Sequence, residues 1–159
     1  MLPVTISSLY QKIGYVFTNT SYLQHALTRT AYAREHGLPI AKAMDYLAVL
    51  GDSVLDTVVI KDIIDAGVAD KGEITRQKTN LVNMTVFRRL AESIDLASYV
   101  SWGKGEKEMR IWESGRVSAE CFEALAGAVY LDGGIEAVET MFETVGGFPQ
   151  RNCIETTRK

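Results

Sequence analysis

Residues 44–56 constrain this chain more than any other stretch, because they are apolar at a helical repeat and yet carry Asp45, Asp52, Asp56 and a glycine. At about 100° per residue, Asp45, Ala48, Val49, Asp52 and Asp56 share one face, while Leu47, Leu50, Val54 and Leu55 supply much of the rest. An ionised carboxylate on a mostly buried helix needs a cation, a basic side chain or water at the edge of a cleft. Asp45 lies near the helix start, where the macrodipole favours it, and Asp56 is read as facing solvent. Asp52 has no such excuse, lying mid-helix between Leu50 and Val54. Gly51 beside it costs a helix about 1 kcal/mol relative to alanine. A glycine accepted there predicts that another element packs closely and brings its side chains near Asp52.

A second segment of the same kind lies at residues 116–132, small-residue-rich and apolar, with Glu120 and Glu123 at i and i+3 and Gly127 beyond them. That spacing puts both carboxylates on one side of the helix. Two such helices, packed together, would offer oxygen ligands to a hard divalent cation such as Mg2+ or Mn2+.

These two segments resemble the signature of the ribonuclease III family, which reads roughly Glu-Arg-Leu-Glu-Phe-Leu-Gly-Asp-Ser/Ala-Val-Leu and Ala-Asp-x-Phe-Glu-Ala-Leu-x-Gly-Ala-x-Tyr-Leu-Asp. Here the first runs from Asp45 through Ala48, Gly51 and Asp52 to Leu55, and the second from Ala119 through Glu120 and Glu123 to Asp132. Further blocks match in order: Leu9 to Phe17 resembles the opening helix, and Gln24 to Ala33 the Gln-Ala-Leu-Thr-His-x-Ser-Tyr-Ala segment. Gly72 to Arg76 and Gly103 to Glu106 match two more, so the likeness covers most of the chain. It implies an all-α ribonuclease III-like endonuclease fold that works as a helical homodimer, with the nuclease domain at residues 1–145 and a polar tail at 146–159. It also implies cleavage of double-stranded RNA in RNA processing, dependent on Mg2+ with Mn2+ as substitute, leaving 5′-phosphate and 3′-hydroxyl ends.

The departures bear on the chemistry. Of the acids that hold metal in the family, Asp52 and Glu123 are kept, Glu120 stands where Asp is usual, and Ala48 occupies the place of a glutamate. A methyl group cannot coordinate a cation. Asp45 is a shorter acid in place of another family glutamate, and Lys71 stands where the family often has an acid. The resemblance therefore assigns metal to Asp52, Glu120 and Glu123, with Asp45 as a further catalytic candidate. Ala48 opens an alternative: a catalytically impaired module that binds double-stranded RNA or serves in assembly, whether by natural divergence or by an introduced Glu→Ala change. The feature that separates the two is an acid, Asp45 or Asp56, reaching the gap at Ala48. Val49 replaces the aromatic residue that plugs the partner subunit in bacterial relatives, and the family's double-stranded-RNA-binding domain has no counterpart in this sequence.

The remainder of the chain narrows the reading. A length of 159 residues with 47% apolar content suffices for one core. Residues 1–8 lack a secretory pattern and no apolar run approaches the roughly 20 residues of a bilayer span, which predicts a cytoplasmic protein with no membrane partner. A net charge of −3 and a pI of 5.4 exclude a broadly basic surface. RNA contact falls to a local set drawn from Arg29, Arg34, Lys42, Lys104, Lys107, Arg110 and Arg116. Cys121 reads as a small core residue, and neither it nor Cys153 has zinc or disulfide spacing. His25 and His36 read as structural or surface residues. Residues 102–106 read as a flexible turn beside the cleft, without the Gly-x4-Gly-Lys-Ser/Thr pattern of a nucleotide loop.

Overall fold

The computed structural model describes residues 5–149. Among them the regular structure is helical: α1 (Ile6–Ile13), α2 (Thr20–Ala26), α3 (Thr30–Glu35), α4 (Asp45–Asp65), α5 (Lys71–Leu81), α6 (Met84–Ser93), α7 (Lys104–Glu108) and α8 (Gly115–Thr144). Short 3-10 turns at Ile40–Lys42, Leu96–Tyr99 and Ile111–Glu113 link them.

Local chemistry sets most of the ends. Gly14 adopts φ +67° and closes α1, a conformation that costs other residues a steric clash. Asn19, Asp70 and Asn83 cap α2, α5 and α6, each side chain accepting a backbone N–H of the first turn, from Ser21, Glu73 and Val86. The helix α4 starts at Asp45, because Ala43 before it is extended and the preceding residues form only a 3-10 turn.

α8 is the axis of the molecule. It packs most extensively on α4, then on α6 and α2, and being covered from several sides it is apolar nearly all round. Phe122, Leu125, Val129, Met141 and Phe142 from α8 meet Leu47, Leu55, Val58 and Val59 from α4 in one core. Gly134, at φ +79°, breaks the helical path of α8. The last turns then bring Val138, Met141 and Phe142 inward.

One expectation gives way. The segment at 102–106 is not a loose turn: Trp102 is buried and its Nε1 donates to the Ala97 carbonyl at 2.9 Å, and α7 follows directly. Beyond α8, Phe148 meets the Phe142 ring edge-on at a 4.9 Å centroid distance. The rest of the expected tail, with Cys153, lies outside the described residues.

Candidate functional site

The crossing of α4 over α8 is made by two glycines. A Cβ at Gly51 would overlap the backbone carbonyl of Glu123, and one at Gly127 would overlap that of Leu47. The backbones therefore meet at a separation that no side chain permits, which answers why the helix accepts Gly51. Asp52 and Glu123 follow from this contact as neighbours across the two helices.

The electrostatics reflect it. Glu123 is half-buried, and burial, reinforced by the charges of Asp52 and Glu120, pushes its carboxyl up to about 7. Asp52 itself is exposed, so its carboxylate meets water. The helix is mostly buried, but its register turns this side chain out to solvent.

Glu120 has a different partner. One oxygen accepts from Arg29 Nη1 at 2.8 Å, while Arg29 Nε and Nη2 both reach Glu106 Oε1 at 2.9 Å. The same guanidinium lies 5.8 Å from the Trp102 ring, and Nη1 also contacts the Met44 sulfur at 3.3 Å. Burial by itself would lower the Arg29 pKa, but the bonds to Glu120 and Glu106 outweigh it and raise it. Arg29 stands where the family segment has histidine. It belongs to the interior of the site and is not a free RNA contact. A single charge, Arg29, in the otherwise uncharged stretch Ala26 to Ala33 is the signal that would have found this role.

Backbone contacts hold Arg29 in place. Ser101 bridges the junction of α2 and α3, its N–H donating to Leu27 at 2.7 Å and its carbonyl accepting from Arg29 at 3.1 Å. Glu106 also accepts from the Gly103 N–H at 3.0 Å, and both oxygens of Glu35 accept from the Lys104 N–H. α7 is thereby tied to α3 and, through Arg29, to α8.

The other candidate acids stand apart. Asp56 pairs with Lys78 of α5 at 3.0 Å, and Asp45 is exposed at the first position of α4. Ala48 is 5% exposed, its methyl packed into the core. Among the described residues no three His, Cys, Asp or Glu side chains converge closely enough to hold a metal ion between them. Asp52 and Glu123 carry carboxylate oxygens, the donor type a hard cation takes, and positive charge brought near them would relieve the like-charge crowding at Glu123.

Of the basic residues set out as RNA contacts, Arg34, Lys42, Lys104, Lys107, Arg110 and Arg116 are exposed, with Arg110 paired to Glu113 at 2.7 Å. Val49 projects from α4 at 74% exposure, beside Tyr46. The Tyr46 hydroxyl lies 2.8 Å from His25 Nδ1, which gives that histidine a structural partner, and His36 stacks on Tyr32 at 3.9 Å. Cys121 is buried, and burial pushes its thiol up to about 12, so it is inert core. No helix among the described residues is long and apolar enough to cross a membrane.

Comparison with known proteins agrees with this architecture. A family model described as Ribonuclease-III-like matches residues 19–145. Ribonuclease 3 of Cupriavidus pinatubonensis is 31% identical over 139 residues, covering 87% of this chain and 52% of that protein. Ribonuclease 3 of Leptospira interrogans is 33% identical over 136 residues, 85% of this chain and 55% of that one, so the chain spans about half the length of these relatives. The crystal structure of the nuclease domain of ribonuclease III from Campylobacter jejuni superposes with a TM-score of 0.80 at 26% identity, covering 93% of this chain and 99% of that one. A second structure of the same domain gives a TM-score of 0.79 over 89% of this chain and 95% of that one. With an all-helical body, glycine-mediated contact between the two signature helices and a model match over most of its length, this chain belongs to the ribonuclease-III-like family and carries that family's nuclease-domain fold.

Proposed function

We propose that this chain is the nuclease domain of a divalent-metal-dependent endoribonuclease acting on double-stranded RNA. The observation that carries the reading is the carboxyl of Glu123, which the glycine crossing brings near Asp52 and which burial, with the charges of Asp52 and Glu120, holds up at about 7. It is surrounded by charge of its own sign.

Asp52 and Glu123 would hold Mg2+ or Mn2+, with Glu120 beside them and acting through water. When bound, such an ion stabilises charge on a phosphodiester and lowers the pKa of an attacking water, giving 5′-phosphate and 3′-hydroxyl ends. With Ala48 in place of a glutamate, such an ion would have one protein ligand fewer and would be held more weakly. Lys104 and Lys107 on the exposed face of α7 lie on the element that Arg29 ties to the site, where an A-form backbone would be read by shape and phosphate. Val49 and Tyr46 form an apolar spot on α4 that suits a second copy of the chain. One Campylobacter jejuni structure is described as showing flexibility in a region of that domain involved in dimer formation, which supports a homodimer here.

Ala48 also favours a second reading, a domain that keeps the fold and the RNA surface without cutting. Cleavage of a labelled RNA duplex at low salt with Mg2+ or Mn2+ separates the two. We expect slow cutting by this chain, loss of cutting in Asp52→Asn and Glu123→Gln, and a gain of about tenfold or more in Ala48→Glu as the missing ligand returns. Duplex binding without cutting, in this chain and in Ala48→Glu alike, would establish the binding reading instead.

A further inference from the structure

Within the metal-site reading, on which this inference rests, the three acids do not stand in equivalent environments. Glu123 has no cationic partner among its described contacts and Asp52 opens to solvent, whereas Glu120 already has a cation within 2.8 Å. That cation is well fixed. Arg29 is 13% exposed at its side chain, bonds two carboxylates from two different elements, lies against Trp102 and has its backbone pinned to Ser101. Arginine cannot be deprotonated in a protein, so the charge is permanent. A guanidinium forked between two carboxylates is also more directional than an ammonium would be.

The sequence changes that built this arrangement are complementary. Ala48 removes one acid from the site, Arg29 adds a positive charge where the family segment has histidine, and Glu120 is one methylene longer than the family's aspartate. The extra length lets the α8 carboxylate reach Arg29, while the loss at Ala48 lowers the cationic charge the site requires. We infer that Arg29 is a positioning residue that takes over the cation's place at Glu120, so that only Asp52 and Glu123 remain as inner ligands for the metal. Through Glu106 the same guanidinium fixes α7, so the element that carries Lys104 and Lys107 is held in register with the two remaining acids.

Calorimetric titration of the full chain with Mn2+, in the absence of RNA, tests this without relying on activity. Asp52→Asn and Glu123→Gln are expected to weaken Mn2+ about tenfold or more, and Glu120→Gln less than about twofold. Glu120→Gln preserves size and an acceptor for Arg29, so it serves as the fold-conserving variant. Arg29→Gln frees Glu120 and is expected to tighten Mn2+ by about threefold or more, and Arg29→Gln with Glu120→Gln to cancel that gain. Should Glu120→Gln weaken Mn2+ as much as Asp52→Asn does, Glu120 is an inner ligand and the inference is overturned while the metal reading stands. Should Asp52→Asn and Glu123→Gln leave Mn2+ binding unchanged, the metal reading falls and the inference falls with it.

Discussion

Two carboxylates on α8 receive opposite treatment from the same fold. Glu123 meets no described donor and is crowded by Asp52 and Glu120, which adds to burial in raising its pKa. Asp132 accepts from the Asn19 N–H at 2.7 Å, the Thr18 N–H at 2.8 Å and the Tyr15 hydroxyl at 2.7 Å. Burial by itself would raise the Asp132 pKa as well, but those three bonds reverse the sign and lower it. The hydroxyl in turn is shifted: burial first, and then the bond to Asp132, push Tyr15 up to about 12. The satisfied acid joins the loop between α1 and α2 to α8 just before its break at Gly134, and the unsatisfied one is left among charges of its own sign. The difference lies in the donors around each carboxylate, since both are carried by the same helix.

The largest effect should come from undoing the contact that creates the difference. Gly51→Ala places a methyl onto the Glu123 carbonyl, a clash of backbone that no rotamer relieves. Chemical denaturation should show a loss of about 3 kcal/mol or more. A stability equal to the parent's would mean that the crossing can open at little cost.

The two acids should also bend the pH profile in opposite directions. Glu123 rises from 4.5 in the unfolded reference to about 7 when folded, so the folded state binds the proton more tightly. Its contribution is therefore full below the ordinary carboxylate range and is lost as pH rises through about 7. In metal-free protein, Glu123→Gln should flatten that limb by about 1–2 kcal/mol after allowance for partial solvent screening, read as unfolding free energy from acid to mildly alkaline pH. Added Mn2+ should restore stability at the alkaline end for the parent and not for the variant.

Asp132 is the mirror case. Its folded pKa lies below the ordinary 3.8, so its contribution is full above that value and lost as pH falls through the folded one. Asp132→Asn should cost about 1–2 kcal/mol near neutrality and remove the acid limb, with Mn2+ affinity unchanged. A change in Mn2+ affinity would show that the two ends of α8 are coupled.

The smallest effect is expected at Asp56, which shares the helical face of Asp52 but is joined to Lys78 as a partly exposed pair. Asp56→Asn should shift stability by less than about 1 kcal/mol and leave both Mn2+ affinity and duplex cleavage as they are. A fall in Mn2+ affinity would return Asp56 to the site.

Most of the fold was legible because its signals are local. The cap at Asn19, the stop at Gly14, the break at Gly134 and the apolar periodicity of α4 and α8 each act within a few residues. The glycine in α4 also announced the close approach of a second helix, which proved to be the one bearing Glu120 and Glu123. The segment at 102–106 was misread as flexible because its anchors are remote. Glu35 and Arg29 lie far back in the chain, and glycine spacing carries no information about them.

The sequence alone determined the helical class, the two acid-bearing helices, their glycines and the absence of a ligand at Ala48. Periodicity, backbone propensity and residue chemistry are properties of each segment by itself. Only the tertiary structure decided what each acid faces: solvent for Asp52, like charge for Glu123, Arg29 for Glu120, Lys78 for Asp56 and three donors for Asp132. The face a carboxylate occupies on its helix is fixed by spacing, but its protonation and its partner depend on groups brought within a few ångströms from distant parts of the chain.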